Sequence, residues 1–131
     1  MPEDMAKYKD TYLSEAKEHI VSIEKLLLQF EKEPTRIEPI NDIFREIHSL
    51  KSMSAAMDYH KTSQLCHEIE DVLEAIRKKR VNPEGCTDVL FECFDTLEAS
   101  LKEISLNKEE LEIDNLVQKL KELSTGTKGP G

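Results

Sequence analysis

The sequence predicts an all-α fold, an antiparallel up-down four-helix bundle with an additional C-terminal fifth helix, and three observations carry that expectation. Apolar residues recur three, four or seven positions apart through five separate segments, which is the period of an amphipathic helix. No segment alternates apolar and polar residues as a half-buried strand does. The first four segments are of comparable length and their connections are short, so each helix folds back along the one before it.

The first helix covers residues 3–31. Met5, Tyr12, Leu13, Ala16, Ile20, Ile23, Leu27 and Phe30 form its stripe, and it stops before Pro34, whose missing N–H and ring clash end any continuation. A second helix runs from about 37 to 57 with Ile40, Ile43, Phe44, Ile47 and Leu50 inward; Pro39 fits only in its first turn. Asp58 follows, a residue that tolerates the left-handed turn closing a helix better than most.

The third helix, about 60–79, buries Leu65, Ile69, Val72, Leu73 and Ile76, and ends in the basic run Arg77, Lys78, Lys79 and Arg80, expected to complement the negative helix end rather than to form a binding patch. In the following "NPEG", Asn82 is suited to an N-cap, Pro83 to the first helical position and Glu84 to the positive end of the dipole. The fourth helix turns Val89, Leu90, Cys93, Phe94, Leu97, Leu101 and Ile104 inward. A shorter fifth one, striped by Ile113, Leu116, Val117, Leu120 and Leu123, is expected on the outside of the bundle. Residues 1–125 thus read as one domain, and the tail 126–131, "GTKGPG", as a flexible linker or a cloning remnant.

Composition narrows the function. With 131 residues and 38% hydrophobic content there is material for one core. The net charge of −9 argues against a nucleic-acid partner, because counterion displacement needs basic residues. No window approaches the roughly 20 apolar residues of a membrane span, and the N-terminus lacks a signal-peptide pattern, so no membrane insertion and a cytoplasmic location are expected. Cys66, Cys86 and Cys93, an odd number without C-x-x-C spacing, suggest reduced thiols, with Cys93 a buried hydrophobe. Gly85 is the only glycine before the tail, which leaves no P-loop for ATP and no oxyanion loop for a serine or cysteine nucleophile.

The stretch "FREIHSLKSMSAAMD", residues 44–58, holds what the core does not explain. With Ile40 at zero and about 100° per residue, the apolar side chains lie between about 280° and 40°, His48 near 80° and Lys51 near 20°. His48 is therefore on the shoulder of the stripe, and Lys51 must snorkel past the helix contact. On the third helix Cys66, His67 and Glu70 also fall away from the stripe, Glu70 about 100° from its centre. Antiparallel packing of these two helices would bring Glu70 to the His48 imidazole. A carboxylate accepting the Nδ1 proton fixes the tautomer and leaves Nε2 as an exposed nucleophile able to attack phosphorus, with Lys51 as a cation for the added charge. On the residues alone, a shoulder histidine is also compatible with a partly buried polar side chain. Metal binding by His48, His60, Cys66 and His67 is disfavoured, since His48 and His67 lie on different helices without the repeated E-x-x-H of di-iron bundles.

"FREIHSLKSMSAAM" followed by "LCHEIEDVLEAIR" resembles the histidine-containing phosphotransfer domain of chemotaxis histidine kinases of the CheA family, over nearly the whole chain. The resemblance implies that His48 is the phosphoacceptor, that Glu70 holds its Nδ1, and that Lys51 and His67 complete the hydrogen-bonded site. It further implies that ATP and Mg are bound by a separate kinase catalytic domain, usually in the partner subunit of a dimer. The phosphoryl group then passes to an aspartate of a CheY-like response regulator. The segment would be a relay without an ATP site of its own and itself monomeric, its parent chain a histidine protein kinase. Ser52 and Asp58 stand where relatives usually carry glycine, which keeps open a second reading: a helical adaptor that retains the bundle but relays no phosphate.

Overall fold

The computed structural model describes the backbone of residues 3–125, and the expectation for the tail 126–131 lies outside the described residues. Five helices make up the fold: α1 (Glu3–Lys32), α2 (Glu38–Ala56), α3 (His60–Arg77), α4 (Thr87–Ser105) and α5 (Asp114–Thr125). No strand occurs among the described residues. No described helix is long and apolar enough to cross a membrane.

Cross-helix bonds fix the directions. Tyr12 meets Ser54 and His19 meets Glu46, so residue numbers fall along α2 as they rise along α1. Ser63 donates to the Lys51 carbonyl, His48 meets Glu70 and Arg77 lies over the Phe44 ring, the same relation between α2 and α3. Lys9 donates to Asn107 at the far end of α4. The four long helices therefore run up and down, as expected. At 1.5 Å per residue α1 is about 45 Å long against about 28 Å for α2 to α4, so its first turns project beyond the bundle. That overhang corrects one assignment: Met5, on the predicted stripe, is 44% exposed, and burial begins at Tyr12.

The core is otherwise the set of stripe residues, from Ile20, Ile23, Leu27 and Phe30 through Ile43, Ile47 and Leu50 to Leu90, Phe94 and Leu97. Cys66 departs from its expected position off the stripe and is fully buried, as is Cys93. The fifth helix lies mainly along α3, where Leu116, Val117 and Leu120 close a side of the core that the four-helix arrangement leaves open. "NPEG" also differs in detail. Asn82 caps a short 3-10 turn, Pro83–Gly85, by accepting from the Glu84 N–H, and α4 begins after Cys86. Pro39 sits in the first turn of α2, where its absent N–H costs nothing.

Asp58, Lys79 and Asn107 adopt φ of 63°, 58° and 61°, each two residues past the end of a helix. The following N–H reaches back in every case: Tyr59 to the Ser54 carbonyl, Arg80 to Ala75 and Lys108 to Glu103, at 2.9 Å. These are three Schellman ends, built without glycine. At the other end of α3, Glu110 from the α4–α5 connection accepts from the Thr62 N–H at 2.7 Å and its hydroxyl at 2.6 Å, satisfying donors that the helix cannot.

Candidate functional site

Two turns of α2 and one position of α3 build the site. The antiparallel register sets His48 opposite Glu70, because Leu50 and Ile47 turn inward on one helix while Ile69 and Leu73 turn inward on the other, leaving both polar residues on facing shoulders. His48 Nδ1 lies 2.8 Å from Glu70 Oε2, and Lys51 Nζ donates to Glu70 Oε1 at 2.5 Å. Each carboxylate oxygen thus has its own partner. The Glu70 side chain is 8% exposed, that of His48 59%. A sheltered anion holds one edge of an imidazole whose other edge faces solvent.

The chemistry follows from that asymmetry. An ionised carboxylate only accepts, so Nδ1 must carry the proton, and Nε2 holds the free lone pair of the neutral ring. Lys51 supplies the charge that a buried carboxylate needs, and its own ammonium stays near the surface, as the snorkelling argument predicts. Behind the site, burial and then the Glu70 charge push the Cys66 thiol up, against a smaller opposing effect of Lys51, so it stays protonated and apolar in character. The site is an imidazole held through Nδ1 on an open face, with a lysine one turn away.

Of the four residues expected together, three meet and one does not. His67 is exposed on α3 and its Nε2 lies 3.7 Å from Asp71 Oδ2, an i,i+4 pair on its own helix. Ser52 is exposed one turn beyond His48. Sequence reasoning missed a second histidine–carboxylate pair: His19 on α1 bonds Glu46 on α2 through Nδ1, and Ser22 donates to the other Glu46 oxygen at 3.1 Å. Its side chain is 26% exposed, less than half the value for His48, and a hydroxyl replaces the lysine. The α1–α2 register would have exposed this pair, since Tyr12 opposite Ser54 puts His19 opposite Ile47 and so beside Glu46.

The chain matches the Hpt domain family over residues 7–123. It belongs to that family. The Hpt domain is 41% identical over 102 residues to the chemotaxis protein CheA of Bacillus subtilis, an alignment covering 77% of this chain but 15% of the relative. It therefore spans about a sixth of the length of the curated relatives it matches. Among solved structures, the histidine phosphotransfer domain of CheA superposes with a TM-score of 0.80 at 27% identity, covering 88% of this chain and 90% of the other. The phosphorylated P1 domain of CheA3 in complex with CheY6 from R. sphaeroides shares the fold, with a TM-score of 0.82 at 20% identity, covering 93% of this chain and 98% of that one. The bundle with its fifth helix, expected from periodicity, is thus the fold of Hpt domains.

Proposed function

We propose that residues 1–125 are the phosphotransfer unit of a chemotaxis-type histidine kinase and that His48 carries the phosphoryl group on Nε2. The observation that supports this most directly is the His48–Glu70 bond of 2.8 Å on a ring 59% exposed, which leaves a single nitrogen both free and reachable. In the first step the Nε2 lone pair attacks the γ-phosphorus of ATP held, with Mg, by a separate kinase domain. The N–P bond forms, the P–O bond to ADP breaks, and the ring, still protonated on Nδ1, becomes cationic. Glu70 faces that developing charge, so its carboxylate favours the product without moving. In the second step an aspartate oxygen of a CheY-like response regulator attacks the phosphorus, the N–P bond breaks, and the neutral ring returns.

On this reading Lys51, one turn from His48, and His67 on α3 complete the hydrogen-bonded site around the new phosphoryl group. His67 reaches it by leaving Asp71, from which it is separated by more than a hydrogen bond. Between Arg45 and Lys61 there are three basic residues, Arg45, Lys51 and Lys61, against two acidic ones, Glu46 and Asp58, in a chain of −9, so an acidic receiver domain meets its least repulsive surface here. The relay works in the cytoplasm, where both partner domains are met.

The test is phosphorylation of the Hpt domain by a CheA kinase core and ATP. The wild-type domain should take up an acid-labile, base-stable phosphate and lose it on addition of a receiver domain. His48→Gln should take up none while keeping its helical circular dichroism. Label in the folded variant would sink the assignment of His48, and an unlabelled wild type would favour the adaptor reading.

A further inference from the structure

The end of α3 carries more positive charge than its own structure uses. Its last carbonyls are capped from the backbone: the N–H groups of Lys78, Lys79 and Arg80 reach the carbonyls of Glu74, Ile76 and Ala75 at 3.0, 3.0 and 2.9 Å. The helix dipole is felt within the last turn, where Arg77 already supplies a cation. Lys78, Lys79 and Arg80 follow the helix and are all exposed. Among the described residues the side chains of Lys79 and Arg80 have no hydrogen bond or ion pair.

This basic end lies beside the His48–Glu70 pair. Arg77 comes seven residues after Glu70, nearly two whole turns, so it is about 20° from Glu70 around the helix and about 10 Å along it. Arg45, three residues before His48, is about 60° from it around α2 and about 4.5 Å along the axis. Arg77 is also held in place, its guanidinium 5.3 Å over the Phe44 ring and donating to Glu74 at 3.2 Å. Lys78 shares Glu74 at 3.7 Å, and Arg45 pairs with Asp42. Five cations against two paired carboxylates leave this surface positive in a chain of −9.

We propose that Arg45, Arg77, Lys78, Lys79 and Arg80 form an electrostatic dock for an acidic receiver domain, a ridge from His48 to the end of α3 that serves association and not the chemistry. The choice of occupant rests on the relay proposed above. A standard interface covers about 800 Å² of each partner, a disc of about 16 Å radius. One centred on His48 therefore takes in Arg45 and Arg77 and reaches the turn beyond them. Complementary charge of this kind speeds encounter and selects orientation, and salt screens it. A guanidinium already held over Phe44 loses little freedom when the partner arrives.

Titration of the whole isotope-labelled Hpt domain with a CheY-like receiver domain of net negative charge, without ATP or kinase, tests the dock apart from phosphotransfer. Amide shifts are expected at Arg45 and at residues 77–80 together with those flanking His48. The triple variant Lys78→Gln, Lys79→Gln, Arg80→Gln, at exposed positions, should bind about fivefold more weakly at low salt. It should match the wild type at about 0.5 M NaCl, where screening acts within about 4 Å. Lys17→Gln, Lys25→Gln, Lys102→Gln removes the same charge from exposed positions of α1 and α4 and should bind as the wild type does. Equal affinity of the first triple variant and the wild type at low salt, an equal loss in the second, or no binding at millimolar receiver would overturn the dock. Shifts at residues 77–80 with a kinase domain but not with the receiver would overturn it in favour of a kinase-docking surface. Receiver binding through the basic end of a domain whose His48 takes up no phosphate would instead overturn the relay and leave the dock standing.

Discussion

Glu70 does two things with two oxygens: one sets the tautomer of His48, the other holds Lys51. Removing it separates these effects from stability. In Glu70→Ala the imidazole loses its acceptor and reverts toward the Nε2–H tautomer favoured in water, so the nucleophilic nitrogen is the one that becomes protonated. Phosphorylation should slow by about 10- to 100-fold, the usual cost of losing an orienting partner. Stability should fall by only about 1 kcal/mol, because Lys51 is 26% exposed and can turn its ammonium to water. Nitrogen chemical shifts of the His48 ring report the tautomer directly; an unchanged pattern in the variant would refute the role given to Glu70.

Each long helix after the first ends the same way, with a residue at positive φ where glycine is the usual occupant. Asn107 and Asp58 tolerate the left-handed region comparatively well; Lys79, with φ of 58°, does not, and nothing bonds its side chain there to compensate among the described residues. Lys79→Gly should therefore stabilise the domain by about 1 kcal/mol, most of the left-handed penalty less the extra entropy of an unfolded glycine. A urea midpoint that stays put or falls would show that the Lys79 side chain contributes a contact at the helix end. The position of Asp58 was legible in the sequence as a helix end because a polar residue followed the last apolar one. Lys79 was not, since the basic run continues without a break in pattern. Likewise Glu110, which closes the start of α3, gave no signal: a loop side chain reaching a distant helix leaves no period to detect.

At the scale of the molecule, stripes encode which face of a helix is buried but not against what. The five helices and the His48–Glu70 pairing were legible for that reason, since antiparallel neighbours with facing shoulders follow from stripes and short connections. The placement of α5 along α3 and the burial of Cys66 were not, because both depend on which side of the bundle remains open. That burial has a consequence for alkaline stability. Desolvation pushes the thiols of Cys66 and Cys93 up from an ordinary value of 9.0, and the Tyr12 hydroxyl up from 10.0, so all three stay protonated in the fold after their unfolded counterparts ionise. Above pH 9 the unfolded chain binds fewer protons than the native one, so stability that is fully present below pH 9 declines as pH rises, by about 1.4 kcal/mol per pH unit for each group ionised only in the unfolded state. Urea denaturation from pH 8 to 10 should show the decline. The double variant Cys66→Ala, Cys93→Ala should start lower at pH 8, having lost core volume, yet lose stability more gently between pH 9 and 10, by about 2 kcal/mol per pH unit. Parallel slopes in the two proteins would mean that the thiols ionise within the fold, and that the core around Cys66, behind the His48–Glu70 pair, admits water.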